Sequence, residues 1–207
     1  AGALQSGSTT IVRAEVDGSV VNVAVKEGDA VKKGDILFTL KNDDITANVS
    51  TTLNAYVDAQ DEEKDATKSC NAAKTKLRTA QKALAKAQVA LENAREDAQE
   101  RQEDDPDYVL DEEPYKAAIN AAQASVESAQ ETVDALEKNQ KKAAQNTASA
   151  KAAYKKATKK ESKLTVKATA AGTIDSLAID KGAAVSSSSD KAAMKIIDTK
   201  DIVAVVE

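Results

Sequence analysis

The sequence of 207 residues contains no histidine and a single cysteine. Disulfide frameworks, zinc sites and catalytic triads that need histidine are therefore excluded. Aromatic residues make up only 2% of the chain, whereas alanine occurs 41 times. A compact globule of this size normally fills its core with large side chains. The composition instead favours a thin seam between close-packed elements.

An excess of positive charge and a long apolar run are also lacking. The chain carries 29 Lys and Arg against 34 Asp and Glu, a net charge of −5. A mildly acidic chain with few aromatic residues argues against nucleic-acid binding, which needs basic surface and stacking platforms. No stretch approaches the ~18 apolar residues of a membrane span, and no signal peptide is recognised. The sequence therefore predicts a mature or trimmed soluble chain, and we expect neither a cofactor nor a metal nor an enzyme.

Glycine and proline are missing from most of the middle of the chain. No glycine occurs between Gly34 and Gly172, and the only prolines are Pro106 and Pro114. Tight turns need such residues. The distribution predicts three zones: a β-rich segment, a long helical insert with one break at its centre, and a second β-rich segment.

The two β-rich ends resemble each other in sequence. Seven apolar or glycine positions recur at an offset of 154 residues, among them Gly18 with Gly172 and Gly28 with Gly182. A three-residue insertion in the serine run 186–189 then aligns Lys195 with Phe38. Alternating apolar residues with glycine punctuation predict short strands. Because neither half can bury both faces of its own sheet, we expect the halves to pack as one β-sandwich.

The insert has a heptad pattern. Apolar residues recur with a 4-3 spacing over 45–98 and again over 115–164, and 14 of the 17 large apolar residues fall in frame. Two positions per heptad would give about five by chance, so the pattern predicts an antiparallel coiled-coil hairpin. If the chain reverses at Pro106–Asp107, in-frame residues whose numbers sum to 213 face each other, as Leu84 and Ala129 do. Large side chains then meet small ones in nearly every layer.

The segments V-R-A-E-V-D-G-S-V (12–20) and V-K-E-G-D-A-V-K-K-G-D-I-L (25–37) carry a glycine-punctuated turn found in biotinyl and lipoyl domains. The second half adds V-K-A-T-A-A-G-T-I (166–174) and Lys181-Gly182. Two such halves separated by a heptad hairpin resemble the membrane fusion, or periplasmic adaptor, family of bacterial efflux and secretion pumps. The resemblance covers about residues 10–198.

The resemblance implies an α+β fold, a split lipoyl-like β-sandwich with a long antiparallel coiled-coil α-hairpin inserted between its halves, plus fragments of a flanking β-barrel. The expected divisions are a barrel strand at 1–9, the first lipoyl-like half at 10–43, the α-helical hairpin at 44–163 with its tip at about 99–114, the second half at 164–199, and the start of a barrel strand at 200–207.

The resemblance also implies a function. Members of the family are non-catalytic adaptors that form rings, often hexameric, on an inner-membrane transporter, and many work with ABC exporters. The expected location is the extracytoplasmic cell envelope, with a membrane anchor in the full-length protein. Gram-negative members dock an outer-membrane channel through a tip motif R-x3-L-x6-S. Here Arg101 is followed at those spacings by Asp105 and Glu112, so that partner is doubtful and a Gram-positive envelope is favoured.

Two groups of residues are candidate contact sites. At the tip, Arg101 and the triplet Tyr108-Val109-Leu110 form a candidate docking knob for a partner; alternatively, the triplet only plugs the end of the coiled coil. By resemblance, the loops that contain Gly28, Gly34 and Gly182 would lie near the ring interface or lumen.

Three other interpretations remain open. The chain could be a structural coiled-coil surface protein or adhesin with no transporter. Ala193-Met194-Lys195 is similar to a biotin-acceptor tripeptide, which would make the chain a carrier domain, but Lys195 is expected inside a strand rather than on an exposed turn. Four tip aspartates could bind calcium, but their spacing misses the D-x-D-x-D-G loop; they are Asp104, Asp105, Asp107 and Asp111.

Overall fold

The computed structural model describes residues 3–5, 8–198 and 203–205. The chain forms two compact units. The β unit comprises residues 1–54 and 151–207, and the hairpin unit comprises residues 55–150. The predicted mixed α+β fold with an inserted helical hairpin is confirmed.

Within the residues that the structure describes, the β unit contains ten short strands. Two four-stranded antiparallel sheets have the orders β2-β9-β7-β4 and β6-β5-β3-β8, and β1 pairs with β10. The strands are β1 (Ala3–Gln5), β2 (Thr9–Val12), β3 (Gly18–Val23), β4 (Ala30–Val31), β5 (Ile36–Lys41), β6 (Thr165–Lys167), β7 (Gly172–Leu177), β8 (Ala184–Val185), β9 (Met194–Ile197) and β10 (Val203–Val205).

The internal repeat in the sequence appears as a two-fold relation between the sheets. Replacing each strand of the first sheet by its repeat partner (β2 by β6, β9 by β5, β7 by β3, β4 by β8) reproduces the order of the second. The halves therefore do not form one sheet each. Each sheet takes two strands from each half, so the sandwich needs both ends of the chain.

Backbone hydrogen bonds of the glycine turns follow the same relation. Gly28 N donates to Ile174 O at 2.8 Å, and Gly182 N donates to Val20 O at 2.7 Å. Both glycines have positive φ, 91° and 90°, which a side chain would disfavour. At Gly172 the reason for glycine is different, because a Cβ there would collide with the carbonyl oxygen of Ile197.

The core of the β unit shows where the sequence alignment of the halves was wrong. Phe38 pairs with Val23, and Met194 pairs with Leu177 at the repeat-related position. Phe38 and Met194 are both completely buried. The insertion in the serine run is therefore two residues rather than three, and Met194, not Lys195, takes the place of Phe38.

Both helices are long, and α1 begins at a defined cap. α1 spans Asp43–Asp104 and α2 spans Glu113–Glu161, and a 3-10 turn at Ser162–Leu164 leads into β6. Asn42 caps α1, since its Oδ1 accepts a hydrogen bond from Ile45 N at 3.0 Å. Neither helix contains glycine, and Pro114 lies in the first turn of α2, where its missing N–H costs nothing.

The register of the hairpin differs from the prediction by one heptad. Thr147 Oγ1 donates to Ala59 O at 2.9 Å, and Gln140 Nε2 donates to Thr67 Oγ1 at 3.0 Å. Facing residues therefore have numbers that sum to about 206, and the predicted sum of 213 is wrong. The reason is that α1 continues to Asp104, and residues 105–112 run back beside it before α2 begins.

Candidate docking site

The tip segment 105–112 is fastened to the end of α1 by its own turn. Asp105 N donates to Arg101 O at 2.8 Å, which extends the helical pattern by one residue. Tyr108 N then donates to Asp105 O at 3.0 Å, closing a turn around Pro106 and Asp107. The chain direction is thus reversed beyond the last turn of α1.

Two of the four predicted tip residues contact each other. The guanidinium carbon of Arg101 lies 5.4 Å from the centroid of the Tyr108 ring, within the range of a cation–π interaction. Gln102 Nε2 donates to Tyr108 O at 2.9 Å, so both the ring and the backbone of Tyr108 are held against α1. Arg101 is therefore a positioning residue for Tyr108.

The other two predicted residues differ in exposure. Leu110 is half-buried, whereas Val109 is 83% exposed. The plug interpretation fits Tyr108 and Leu110, which are partly covered. Val109 plugs nothing, and an isolated apolar side chain fixed in solvent is suited to enter a pocket on another surface.

A salt bridge that sequence reasoning missed fixes the other end of the tip segment. Arg95 Nε and Nη2 donate to the two carboxylate oxygens of Glu112 at 2.7 and 3.1 Å. Lys116 Nζ lies 3.2 Å from Glu112 as well. Hydrogen bonds from Arg95 first, and then from Lys116, lower the pKa of Glu112 to about 2. Glu112 O also accepts the first backbone bond of α2, from Lys116 N.

The position of Glu112, one partner in this salt bridge, could be predicted from the sequence. Pro114 marks a helix start, which places Glu112 at the junction of tip and helix. Its partner Arg95 could not be found in the same way, because nothing in the spacing shows that the tip segment returns along α1.

The second predicted group, the β-unit glycines, lies on turns with an open side. Gly28, Gly34 and Gly182 all have positive φ. A Cβ added at any of them would meet no heavy atom within 4 Å. These turns are therefore accessible in the single chain.

The serine loop next to Gly182 is held by a carboxylate that sequence reasoning also missed. Asp17 Oδ1 accepts hydrogen bonds from Ser187 N at 2.6 Å, Ser187 Oγ at 2.9 Å and Ser186 Oγ at 3.1 Å. These donors, the Ser187 backbone first, lower the pKa of Asp17. The sequence shows an aspartate before the glycine that begins β3 and a run of serines at 186–189. It does not show that the two contact each other, because only the fold brings them together.

The carrier-domain interpretation fails on geometry. Lys195 lies within β9, opposite Ile11 on one side and Ser176 on the other. It is exposed but sits between two paired strands, as predicted, and not on a turn that could swing into another active site.

Within the described part of the chain, no group of three or more Asp, Glu, Cys or His side chains could hold a metal ion. The helices there also lack a segment both long and apolar enough to cross a membrane. At the tip, Val109 is exposed among mostly acidic residues, and the segment that carries it is held by the ion pairs of Glu112. Such a surface can contact a protein.

The chain matches a family model described as the YknX barrel-sandwich hybrid domain over residues 10–198. No curated protein matches it. The periplasmic adaptor protein EmrA is 13% identical, with a TM-score of 0.51 over 94% of this chain and 73% of EmrA. The membrane fusion protein Spr0693 from Streptococcus pneumoniae R6 is 16% identical, with a TM-score of 0.47 over 95% of this chain and 64% of that one.

A putative efflux transporter from Bacteroides eggerthii DSM 20697 is 16% identical, with a TM-score of 0.48. The alignment includes 97% of this chain but only 43% of that protein, so the chain spans less than half of the length of this relative. The family match includes both halves of the sandwich and the hairpin between them. The chain therefore belongs to the YknX barrel-sandwich hybrid family, within the membrane fusion or periplasmic adaptor proteins that its sequence resembles.

Proposed function

We propose that the chain is part of a non-catalytic adaptor subunit of an efflux or secretion system. In this proposal copies of the subunit form a ring, for example the hexamer common in the family, and work with an ABC transporter in the cytoplasmic membrane. The observation that carries the proposal is the family match over both sandwich halves and the hairpin. The proposed location is the extracytoplasmic cell envelope, with an anchor in the full-length protein.

The proposed domains correspond to the two units of the structure. Residues 10–43 and 164–199 would form the split lipoyl-like domain, and 44–163 the hairpin. Strands β1 and β10 pair with each other, with Ala3 opposite Val205. This pairing supports the proposal that residues 1–9 and 200–207 belong to an adjoining β-barrel.

We propose the tip as the contact with a partner protein, through Val109 and its neighbours Tyr108 and Leu110. The exposure of Val109 and the two anchors of the segment support this, because a preordered loop loses little entropy on binding. An outer-membrane channel is not the proposed partner. At the positions of the Leu and Ser in the docking motif the chain has Asp105, which forms the turn, and Glu112, which binds Arg95.

Copurification tests the transporter assignment. The tagged full-length protein, expressed from its own gene, is expected to bring down an ABC permease from detergent-solubilised membranes. Recovery of the protein without any permease, while it remains displayed at the cell surface, would instead favour the structural surface protein or adhesin.

A single substitution tests the tip. Val109→Ser should reduce partner capture or transport without affecting the fold, because Val109 packs against little of its own chain. The matched control is Val89→Ser, since Val89 is also exposed, at 57%, but lies within α1. Equal effects of the two substitutions would remove the tip assignment.

The glycine turns are proposed to lie near the ring interface or lumen. Lys181 is exposed beside Gly182, so Lys181→Cys in a Cys70→Ala background reports on this placement. A short bis-maleimide should convert it into cross-linked dimers, the largest product that one cysteine per chain allows, and a cysteine at Glu127, which is also exposed, serves as the control. Linkage at Glu127 alone would contradict the placement.

A further inference from the structure

A cleft in the β unit lies between two strands that each form the edge of a sheet. β2 is an edge strand of the first four-stranded sheet, and β6 is an edge strand of the second. The cleft has a volume of about 790 Å³, and its walls include Ile11 and Val12 of β2 and Thr165 and Val166 of β6. Ligand pockets commonly have volumes of about 300–1,000 Å³. The cleft is therefore large enough to hold a short ligand between the two edges.

The backbone of β2 has hydrogen-bonding groups on the side away from its partner β9. Ser8 O accepts a bond from Asp198 N at 3.1 Å, and Val12 O accepts one from Ala193 N at 2.8 Å, so both carbonyls point to the β9 side. Alternate residues of a strand direct their backbone groups to opposite sides. Residues 9 and 11 therefore direct theirs to the side on which the structure describes no neighbouring strand. Such a row of groups is a template for another strand.

The residues that line the cleft carry an excess of positive charge. Its ionisable side chains are four cations and one carboxylate, namely Arg13, Lys33, Lys163, Lys167 and Glu15. Glu15 is paired with Lys163, at 2.6 Å. The other three cations form no ion pair with any residue that the structure describes. The cleft is thus basic in a chain whose net charge is −5.

The cations lie on both walls of the cleft. Arg13 directly follows β2, and Lys167, its repeat partner at the offset of 154 residues, ends β6. Gly34 N donates to Ala168 O at 2.8 Å, so Lys33 and Lys167, each next to one of these residues, belong to the same wall. A ligand between the walls would meet positive charge on either side.

Positive charge on an edge strand often only prevents unwanted strand pairing. In this cleft, however, the cations surround apolar side chains that remain accessible. Val12 is buried, but Ile11 is 47% exposed and Val166 is half-buried. Cations around an open edge disfavour a basic strand and favour an acidic one. The arrangement therefore selects among strands rather than excluding all of them.

We propose that the cleft binds an acidic, extended segment of another protein, which adds as a strand to the free edge of β2. Its backbone would pair with Thr9 and Ile11, and its carboxylates would lie near Arg13 and Lys167. In strand addition of this kind, main-chain hydrogen bonds give affinity and side-chain contacts give specificity. The cleft lies within the β unit, so the proposal is independent of the tip and of the transporter partner.

Binding of synthetic peptides to the full chain tests the proposal. The labelled peptide T-E-V-E-V-E-T alternates acidic and β-branched residues, and T-K-V-K-V-K-T reverses its charge. A third peptide has the acidic sequence with N-methyl groups on every Glu and Val, which removes the backbone donors that strand addition needs. At low salt we expect the acidic peptide to bind about tenfold or more tightly than either control.

A charge-reversed pair of variants tests where the acidic peptide binds. Arg13→Glu combined with Lys167→Glu should weaken binding by about tenfold. The matched control combines Lys26→Glu with Lys181→Glu, since both lysines are exposed but neither lines the cleft. The control should change the affinity by less than about twofold. Circular dichroism and urea denaturation check that both double variants keep their fold.

Hydrogen exchange in the unsubstituted chain tests the strand addition directly and stays informative if a variant does not fold. On addition of the acidic peptide, the amides of Thr9 and Ile11 should exchange about tenfold more slowly, because they become hydrogen-bonded. Slower exchange at Thr165 and Lys167 instead would contradict the choice of β2.

Four other outcomes would overturn the proposal. Equal binding of the N-methylated peptide would show that charge alone is read, and equal weakening in both double variants would place the peptide outside the cleft. Binding of phosphatidylglycerol vesicles but not of the peptide, lost in the Arg13→Glu, Lys167→Glu variant, would make the ligand a lipid surface. Self-association of the chain that the same variant abolishes, without peptide binding, would make it a second copy.

Discussion

The hydroxyl of Thr147 donates a hydrogen bond across the hairpin to the backbone carbonyl of Ala59, 2.9 Å away. A second bond, from Gln140 to Thr67, lies two turns farther along. Polar residues at seam positions usually cost stability but can specify which residues face each other. In this hairpin, Thr147 and Gln140 select one register from several that an alanine-rich seam permits.

Cysteine pairs can verify the register. In a Cys70→Ala background, Ala59→Cys with Thr147→Cys should form an intramolecular disulfide in high yield, because their backbones are adjacent. The control pair is Ala66→Cys with Thr147→Cys, which faces only if the numbers sum to 213. Preferential oxidation of the control pair, seen as a gel shift, would restore the register predicted from the sequence.

The anchor of the tip segment should depend on pH through Glu112. Its pKa is about 2 in the folded chain, against an ordinary value of 4.5. A lowered carboxyl pKa contributes stability that is complete above about pH 4.5 and disappears as the pH falls towards 2. Hydrogen exchange at residues 105–112, corrected for intrinsic rates, should therefore accelerate over that interval.

Glu112→Gln should make the tip exchange rapidly at neutral pH and remove most of this acid dependence. Glu113→Gln is the control, since the side chain of Glu113 is 83% exposed and makes only a 3.7 Å contact with Lys116. If both variants behave alike, the Arg95–Glu112 fork does not hold the segment.

Asp17 should control the order of the serine loop. Asp17→Asn replaces a carboxylate that accepts three hydrogen bonds with a neutral amide, a weaker acceptor. We expect faster exchange of the Ser187 amide with little change in the remainder of the sandwich. Asp175→Asn, on the exposed side of β7, is the matched control; unchanged Ser187 protection in Asp17→Asn would refute the assignment.

The side chains of Phe38 and Met194, at repeat-related core positions, should contribute similarly to the free energy of unfolding. Phe38→Ala is expected to lower the free energy of unfolding by about 3–5 kcal/mol and Met194→Ala by about 2–5 kcal/mol, since both side chains are completely buried. Urea denaturation measures both values, and Val109→Ala should change stability by at most about 0.5 kcal/mol. A negligible effect at Met194 would contradict its equivalence to Phe38.

Much of the β unit could be predicted from glycine and valine spacing. Gly28 and Gly182 indicated the turns, and the repeat indicated the strands that become β3 and β7. The spacing could not show that each half contributes to both sheets, because alternation reports which face is buried and not which strand is the neighbour. The length of the insertion near Ser187 was also ambiguous in the sequence. An alignment shifted by one residue places Lys195 instead of its neighbour Met194 opposite Phe38.

The hairpin was predicted as a whole but not in register. A shift of seven residues preserves the heptad frame, and nearly every layer still pairs a large with a small residue. Two layers differ between the registers, because the sum of 213 would place Leu77 against Leu136, whereas the observed sum of 206 places Leu91 against Tyr115. In the observed register Leu77 faces Ala129, and Leu136 faces the completely buried Cys70. At the tip, heptads end, and Arg95, Gln102 and Glu112 therefore had no pattern to reveal them.

The exchange of strands between the halves has a consequence for how the chain folds. β5 ends at Lys41 and its neighbour β6 begins at Thr165, with both helices between them. Closing so long a loop as a random coil would be slow and entropically costly. Helix pairing can begin at the tip, where contacts such as Arg95–Glu112 are close in sequence, and proceed away from it. The insert would then act as an internal template that brings the two strand sets together before either sheet exists.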